Sequence, residues 1–410
     1  MRERSVHRTP GGPGLRVSWS EDVEVGGWLA LGIFGLLLLS ARGQDLLPSP
    51  ARMFLLLVWP IVIVAFAWTR RPLVVAAYCI AGGFLLRWAD FWPGGGSDVL
   101  PVVTEWIQTF IKGGNPYDHS YVSSRPPGSP VPYPPVQFLV HLPGYLLAGH
   151  AGVRFTQVAA ALGVMSTFGV LAWRGAWSTA LPALALYAGL ANLVNLSVDA
   201  GNDTGTGAVL LLAVLGAWWA TTHDFDDRSA RLAGLTSALA LGMKQTTLFV
   251  VLMVAAYVWR RGGRSAFLQY ALAGAMTLAV VSAVFLLRDP FAYVRALAYV
   301  AGDHSDVYGW NLWVFAGQMG WPVIGRAEGV VFQVALTVVA SAIALLIPLR
   351  RIGPALIAGI TLTLIVLFVA RWTTYSYFGM LAPVMLVLPI LVSWERRSEA
   401  VPPPAGMETS

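Results

Sequence analysis

About twelve apolar segments, separated by short polar or basic breaks, occupy most of the chain and leave little else to fold. They run over 26–41, 53–69, 72–88, 134–149, 153–173, 179–197, 205–222, 232–259, 267–287, 329–349, 354–370 and 376–394. A bilayer core asks for roughly 20 apolar residues per helix, and a bundle tolerates shorter ones. The chain is 56% hydrophobic and 12% charged, with a mean hydropathy of +0.64, far from the roughly quarter-charged balance of soluble domains. The expectation is an all-α polytopic membrane protein of about twelve transmembrane helices. Residues 1–25 form a tail, 26–71 hold two additional spans, 72–394 form the main domain, and 395–410, polar and proline-rich, are expected to be disordered. The first apolar segment lacks a small-residue cleavage pattern and is expected to be a retained span.

Orientation follows from arginine, because short cytoplasmic loops are enriched in Lys and Arg. With Arg2, Arg4, Arg8 and Arg16 inside, simple alternation also puts Arg70–Arg71, Arg260–Arg261–Arg264, Arg350–Arg351 and Arg396–Arg397 inside. Both termini are then cytoplasmic in a multi-pass plasma-membrane protein. Two long loops, 89–133 and 288–328, fall outside, and the polar stretch 198–204 falls inside. The single cysteine, Cys79, forms no intramolecular disulfide.

The first outer loop carries Asp90, Asp98 and Glu105. Within it, Val99, Val102, Val103, Trp106, Ile107, Phe110 and Ile111 recur at helical spacing, so 98–112 is expected to lie as a helix on the membrane surface. Gly113–Gly114 supplies its stop, and Pro101 in the first turn favours Ser97 or Asp98 as N-cap. Asp98 is therefore a simple cap or a working carboxylate. The proline run after Pro126 should lie extended across the mouth of the bundle, presenting Tyr117, Tyr121 and Tyr133 to an occupant or to the interfacial aromatic belt.

Lys244, one of two lysines, lies inside 232–259, where a charge costs at least about 2.5 kcal/mol unless it faces water or a partner. With Gln245, Thr246 and Thr247 it either holds a phosphate oxygen, pairs with an acid or snorkels to an interface. Asn202 and Asp203 sit in the 198–204 loop. In the second outer loop, Asp303, His304 and Asp306 could approach a divalent metal, although D-H-x-D is not an established ligand spacing. Trp310 and Trp313 stack on a sugar or sit in the interface, and Arg371 adds an outer cation. Strand–helix alternation and a Gly-rich phosphate loop are both missing, which argues against a soluble-type nucleotide-sugar site. Nucleic acid is not an expected partner.

Several of these features together resemble the integral-membrane GT-C glycosyltransferases, and glycosyltransferase family 87 in particular. They are Asp98 in the first long outer loop, GGNPYD at 113–118, YPP at 133–135, GMKQT at 242–246, WNLW at 310–313 and the aromatic start of the last span. Counted from 72–88, the chain follows the family order of one span, a long outer loop, six spans and a second long outer loop. The likeness covers roughly 72–394. Two spans precede it, and Asp90 competes with Asp98 for the role of loop acid.

The resemblance implies an enzyme that moves a mannose-like hexose, or a pentose, from a polyprenyl-phosphate donor to a glycolipid or glycan acceptor at the bilayer, without a cofactor. A carboxylate, Asp98 or Asp90, would take the acceptor proton, and nearby cations would ease departure of the phosphate from an oxocarbenium-like transition state. Lys244 and Arg371 are the phosphate contacts so implied. Gln245, Tyr117, Tyr133, Trp310 and His304 are the further binding residues. A secondary transporter and a non-catalytic lipid-handling protein are the alternatives.

Overall fold

The computed structural model describes residues 19–40, 50–91, 97–124, 127–199, 201–302 and 307–400. Helices α1 (Trp19–Leu39), α2 (Pro50–Thr69) and α3 (Pro72–Phe91) come first. The prolines that open α2 and α3 take a position where a missing N–H costs nothing. The α1–α2 pair closes tightly through glycine: a side chain at Gly35 would meet the Trp59 ring at 2.5 Å. Trp59 Nε1 donates to the Leu31 carbonyl at 3.1 Å.

Next come α4 (Val99–Ile111), a short 3-10 turn at Pro116–Asp118, α5 (Val136–Leu139) and α6 (Leu142–Leu171). Beyond them lie α7 (Trp177–Gly189), α8 (Ala191–Val198), α9 (Asp203–Thr222), α10 (Asp227–Met243) and α11 (Leu248–Arg288). The chain closes with α12 (Pro290–Gly302), α13 (Leu312–Gln318), α14 (Arg326–Leu346), α15 (Ile352–Val369), α16 (Tyr375–Gly379) and α17 (Ala382–Ala400). Two short strands, β1 (Tyr308–Gly309) and β2 (Trp372–Thr373), pair in parallel. Among the described residues, nine helical segments are long and apolar enough to cross a membrane. Two of them are composite, Leu142–Gly189 with 48 residues and Gln245–Arg288 with 44.

Three expectations are corrected. Segment 134–149 is not one helix. Two prolines precede α5, and α6 bends at Ala148 and Gly149, where Gly149 takes φ +55°. Segment 232–259 is likewise not one span. It breaks at Lys244, whose backbone is extended (φ −160°, ψ 131°), and the chain then runs back along α10. A second reversal at Gly263, φ +78°, turns α11 upward again: Phe225 lies against Gly262, and Arg231 meets Gln269.

These two changes together produce the third. Removing 134–149 from the crossings reverses the side of every loop as far as Lys244, and the break at Lys244 restores the order beyond it. Stretch 198–204 therefore lies at the same end of the bundle as loop 89–133, where Asn202 and Asp203 meet Lys244 and Gln245 meets Pro132. Arg174, His223 and Arg228 join the end that holds Arg261 and Glu395. Contacts at that end agree, since Tyr257 bonds Thr221 at 2.7 Å and feels both Glu395 and Arg261.

The two long loops, 89–133 and 288–328, form one cap. Arg288 donates to the carbonyls of Gly113 and Gly114, Arg295 pairs with Asp118 at 3.0 Å, and Ser129 meets the Tyr299 hydroxyl at 2.7 Å. Under this cap lies a second core of Trp106, Tyr117, Tyr121, Phe138, Phe285 and Tyr293, separate from the large core between the spanning helices.

Candidate functional site

Helix α4 forms over the stretch whose apolar spacing calls for a helix, but that face packs on the protein's own cap core, against Phe138 and Phe285, and not on the membrane surface as expected. Leu100, Val102, Val103, Trp106 and Ile107 are buried, and Trp106 stacks on Phe138 with ring centroids 4.4 Å apart. Gly113, at φ +78°, ends the helix in a conformation that favours glycine. At its start, the Val99 N–H donates to Ser97 Oγ at 3.2 Å, whereas the Asp98 side chain makes no capping bond. The carboxylate is thus not spent on the helix.

Asp98 is half-buried and acts electrostatically on Tyr133 and Tyr377. Burial, followed by Tyr377, Asp203 and Asp98, pushes the Tyr133 phenol well above its ordinary range. These tyrosines flank Lys244. Its Nζ lies 3.8 Å from the Tyr377 ring centroid and 5.6 Å from that of Tyr133, within cation–π range.

Lys244 itself is 1% exposed. It donates to Asp203 Oδ1 at 2.6 Å and to Asn202 Oδ1 at 3.1 Å. Asp203 is the first residue of α9 and Lys244 directly follows α10, so each charge stands at the helix end whose dipole favours it. Of the readings open for Lys244, pairing to an acid is the one the geometry shows. Its two hydrogen bonds and the Tyr377 face take the three directions an ammonium offers.

Beside this cluster a cavity of about 350 Å³ opens between α10, the second half of α11 and α12. Pro134, Pro135, Leu248, Leu278 and Leu297 make its wall apolar, and Gln245, Ser282 and Tyr293 are its polar members. Gln245 also donates to the Pro132 carbonyl, so the residue next to Lys244 both lines the cavity and ties down the proline run.

The other sequence candidates fall differently. Asp90 lies in the last turn of α3, and the carboxylates acting on Tyr133 are Asp203 and Asp98. Tyr117 does not present its ring at a mouth: it is 1% exposed in the cap core, and its hydroxyl donates to the Tyr133 carbonyl at 3.0 Å. Tyr121 is buried likewise, donating to the Pro116 carbonyl at 2.7 Å. Trp310 is 63% exposed, held through its backbone N–H on Thr373. The Arg371 stem crosses Gly329 so closely that a side chain there would meet Cδ at 2.5 Å, while its carbonyl accepts from Tyr308 and Asn311. His304, with Asp303 and Asp306, lies outside the described residues. Among the described residues, no cluster of three or more His, Cys, Asp or Glu side chains is arranged to hold a metal ion.

Asp203, Asn202 and Tyr377 are site members that sequence reasoning did not place. A buried lysine demands a carboxylate partner, and N-D at the head of a glycine-rich helix start was the available signal. Neither a protein-family model, nor a curated protein, nor a solved structure matches the chain.

Proposed function

We propose that the protein is an integral-membrane glycosyltransferase that takes a mannose-like hexose, or a pentose, from a polyprenyl-phosphate donor. The acceptor is a cell-envelope lipid or glycan at the outer face of the plasma membrane, with both termini cytoplasmic and about twelve spans. One observation carries this reading: a carboxylate not used as a cap, Asp98, acts on the same two tyrosines that flank a buried cation. An apolar cavity lined by Gln245, the residue that follows Lys244, is of a chemistry that suits the lipid part of such a donor.

In this reading Asp98 accepts the proton of the acceptor hydroxyl as that oxygen attacks the anomeric carbon. The bond to the lipid phosphate breaks through an oxocarbenium-like state, and positive charge beside the phosphate favours its departure. A phosphate oxygen reaches Lys244 only by displacing Asn202 or the Tyr377 face, with Asp203 keeping its bond. The lysine–aspartate pair, rather than the lysine alone, therefore stands at the leaving-group end. Tyr133 and Tyr377 supply faces and hydroxyls between the two ends.

A secondary transporter is the second reading, favoured by the break between α10 and α11 at a buried charge pair, since transporters place binding sites at interrupted helices. Membranes carrying the protein, supplied with radiolabelled polyprenyl-phosphate sugars, separate the two. Transfer to an acceptor supports the enzyme, and loss of every transfer product with all lipid-linked sugars supports transport.

A further inference from the structure

Behind the Lys244–Asp203 pair, three buried residues carry a hydrogen-bond chain from α9 to α5. The Gly205 N–H donates to Gln157 Oε1 at 2.7 Å, Gln157 Nε2 meets His141 Nε2 at 2.7 Å, and His141 Nδ1 meets the Gln137 carbonyl at 2.6 Å. Gln137, His141 and Gln157 are each 0% exposed.

The two ends of this chain fix every proton within it. A backbone amide can only donate, and a carbonyl oxygen can only accept. Gly205 therefore takes the oxygen end of the Gln157 amide and turns its nitrogen toward His141. His141 Nε2 must then accept, which leaves the ring proton on Nδ1, pointing at the Gln137 carbonyl. One tautomer of the neutral imidazole satisfies both neighbours, and the tautomer is assigned from this network. Turning the Gln157 amide round does not accommodate a charged ring, because its NH₂ would then face the Gly205 N–H.

Gly205 lies in the first turn of α9, two residues after Asp203, and Gln137 lies four residues after Tyr133. The chain thus ties the strip that bears Asn202 and Asp203 to the strip that bears Tyr133. Gln245, bonded to the Pro132 carbonyl, ties the Lys244 strip to the same proline run. Space for the link is exact enough that a side chain at Gly205 would meet the Gln157 amide atoms at 3.1 and 3.2 Å.

We infer that His141 and Gln157 are positioning residues of the candidate site, holding the Asp203–Lys244 pair in register with Tyr133 and Asp98 through this one-directional chain. The kinetic consequence rests on the glycosyl-transfer reading; the chain does not.

The test uses the full-length protein in nanodiscs with ¹⁵N-labelled histidine, the His141 signals being identified by their loss in His141→Gln. At pH 7.5 the wild-type ring is expected to be neutral with its proton on Nδ1. A wild-type ring that is charged or protonated on Nε2 overturns the chain. In transfer assays, Gln157→Met is expected to lower kcat by about 10-fold to 100-fold with little change in KM for the lipid-linked sugar, the scale that misplaced reacting groups produce. A fall in folded yield with wild-type kcat per folded molecule overturns the positioning role. If the wild type transfers no sugar, the glycosyl-transfer reading fails alone, and amide exchange then judges the chain. Gly205 is expected to exchange at least about tenfold faster in Gln157→Met, and an unchanged rate overturns the inference.

Discussion

Lys244 Nζ and Asp203 Oδ1 stand 2.6 Å apart with their side chains 2% and 4% exposed, joining residues 41 positions apart in sequence. Two charges withdrawn from water this fully are tolerated only as a pair. Lys244→Met is therefore expected to destabilise the fold by about 3–5 kcal/mol, because it leaves Asp203 buried and uncompensated. The double variant Lys244→Met/Asp203→Leu should recover most of that loss. Chemical unfolding of wild type, Lys244→Met, Asp203→Leu and the double variant in one detergent measures the coupling, and a single variant as stable as wild type would refute the pair.

Arg87 is expected to behave as a structural cation. It is 0% exposed in α3 and donates to the carbonyls of Gly83 at 2.9 Å, Ala188 at 3.0 Å and Tyr187 at 3.1 Å, and to Ser197 Oγ at 3.1 Å. Two of these carbonyls close α7, where the helix dipole favours positive charge. A lysine has no planar fork to span such acceptors. Arg87→Lys should cost about 2–4 kcal/mol, and Ser197→Ala about 1 kcal/mol, the scales for orphaned and single lost hydrogen bonds. Equal costs for the two variants in thermal unfolding would contradict the bracing role.

Acid stability should report on His141. Burial pushes its imidazole from 6.5 down to about 4. A histidine with a lowered folded pKa contributes fully above its unfolded value and loses that contribution as pH falls from about 6.5 through about 4. The loss amounts to about 3 kcal/mol across that window. Unfolding of the wild type at pH 7.5 and at pH 4.5 should show this fall, and His141→Gln should flatten it. An identical acid limb in the variant would remove His141 as its source.

Local features were legible in sequence, and features set across the fold were not. The existence of helix α4 could be read because its apolar spacing and its glycine stop lie within fifteen residues of one another, at 99–113, whereas what its apolar face packs against could not. The basic end of the bundle could be read because arginine marks loops one at a time. Segment 134–149 misled because an apolar run records composition, while Pro134, Pro135 and Gly149 decide whether it stays one helix. That error carried Asn202 and Asp203 to the wrong end of the bundle and hid the partner of Lys244. Tyr117 was recognised as an aromatic of the outer loop, but its direction depends on Trp106, Phe138 and Phe285 from three different helices.

The account turns on Asp98, which opens α4 without capping it and acts on the tyrosines beside Lys244. Asparagine serves a helix start about as well as aspartate, so Asp98→Asn should unfold within about 0.5 kcal/mol of wild type. The decisive measurement is the single-turnover rate of sugar transfer from a radiolabelled polyprenyl-phosphate donor by wild type, Asp98→Asn and Asp90→Asn, reconstituted at equal folded concentration. Loss of a general base lowers such rates by about 10²–10⁴-fold. The account predicts that loss in Asp98→Asn with Asp90→Asn close to wild type; a full wild-type rate in Asp98→Asn would contradict it.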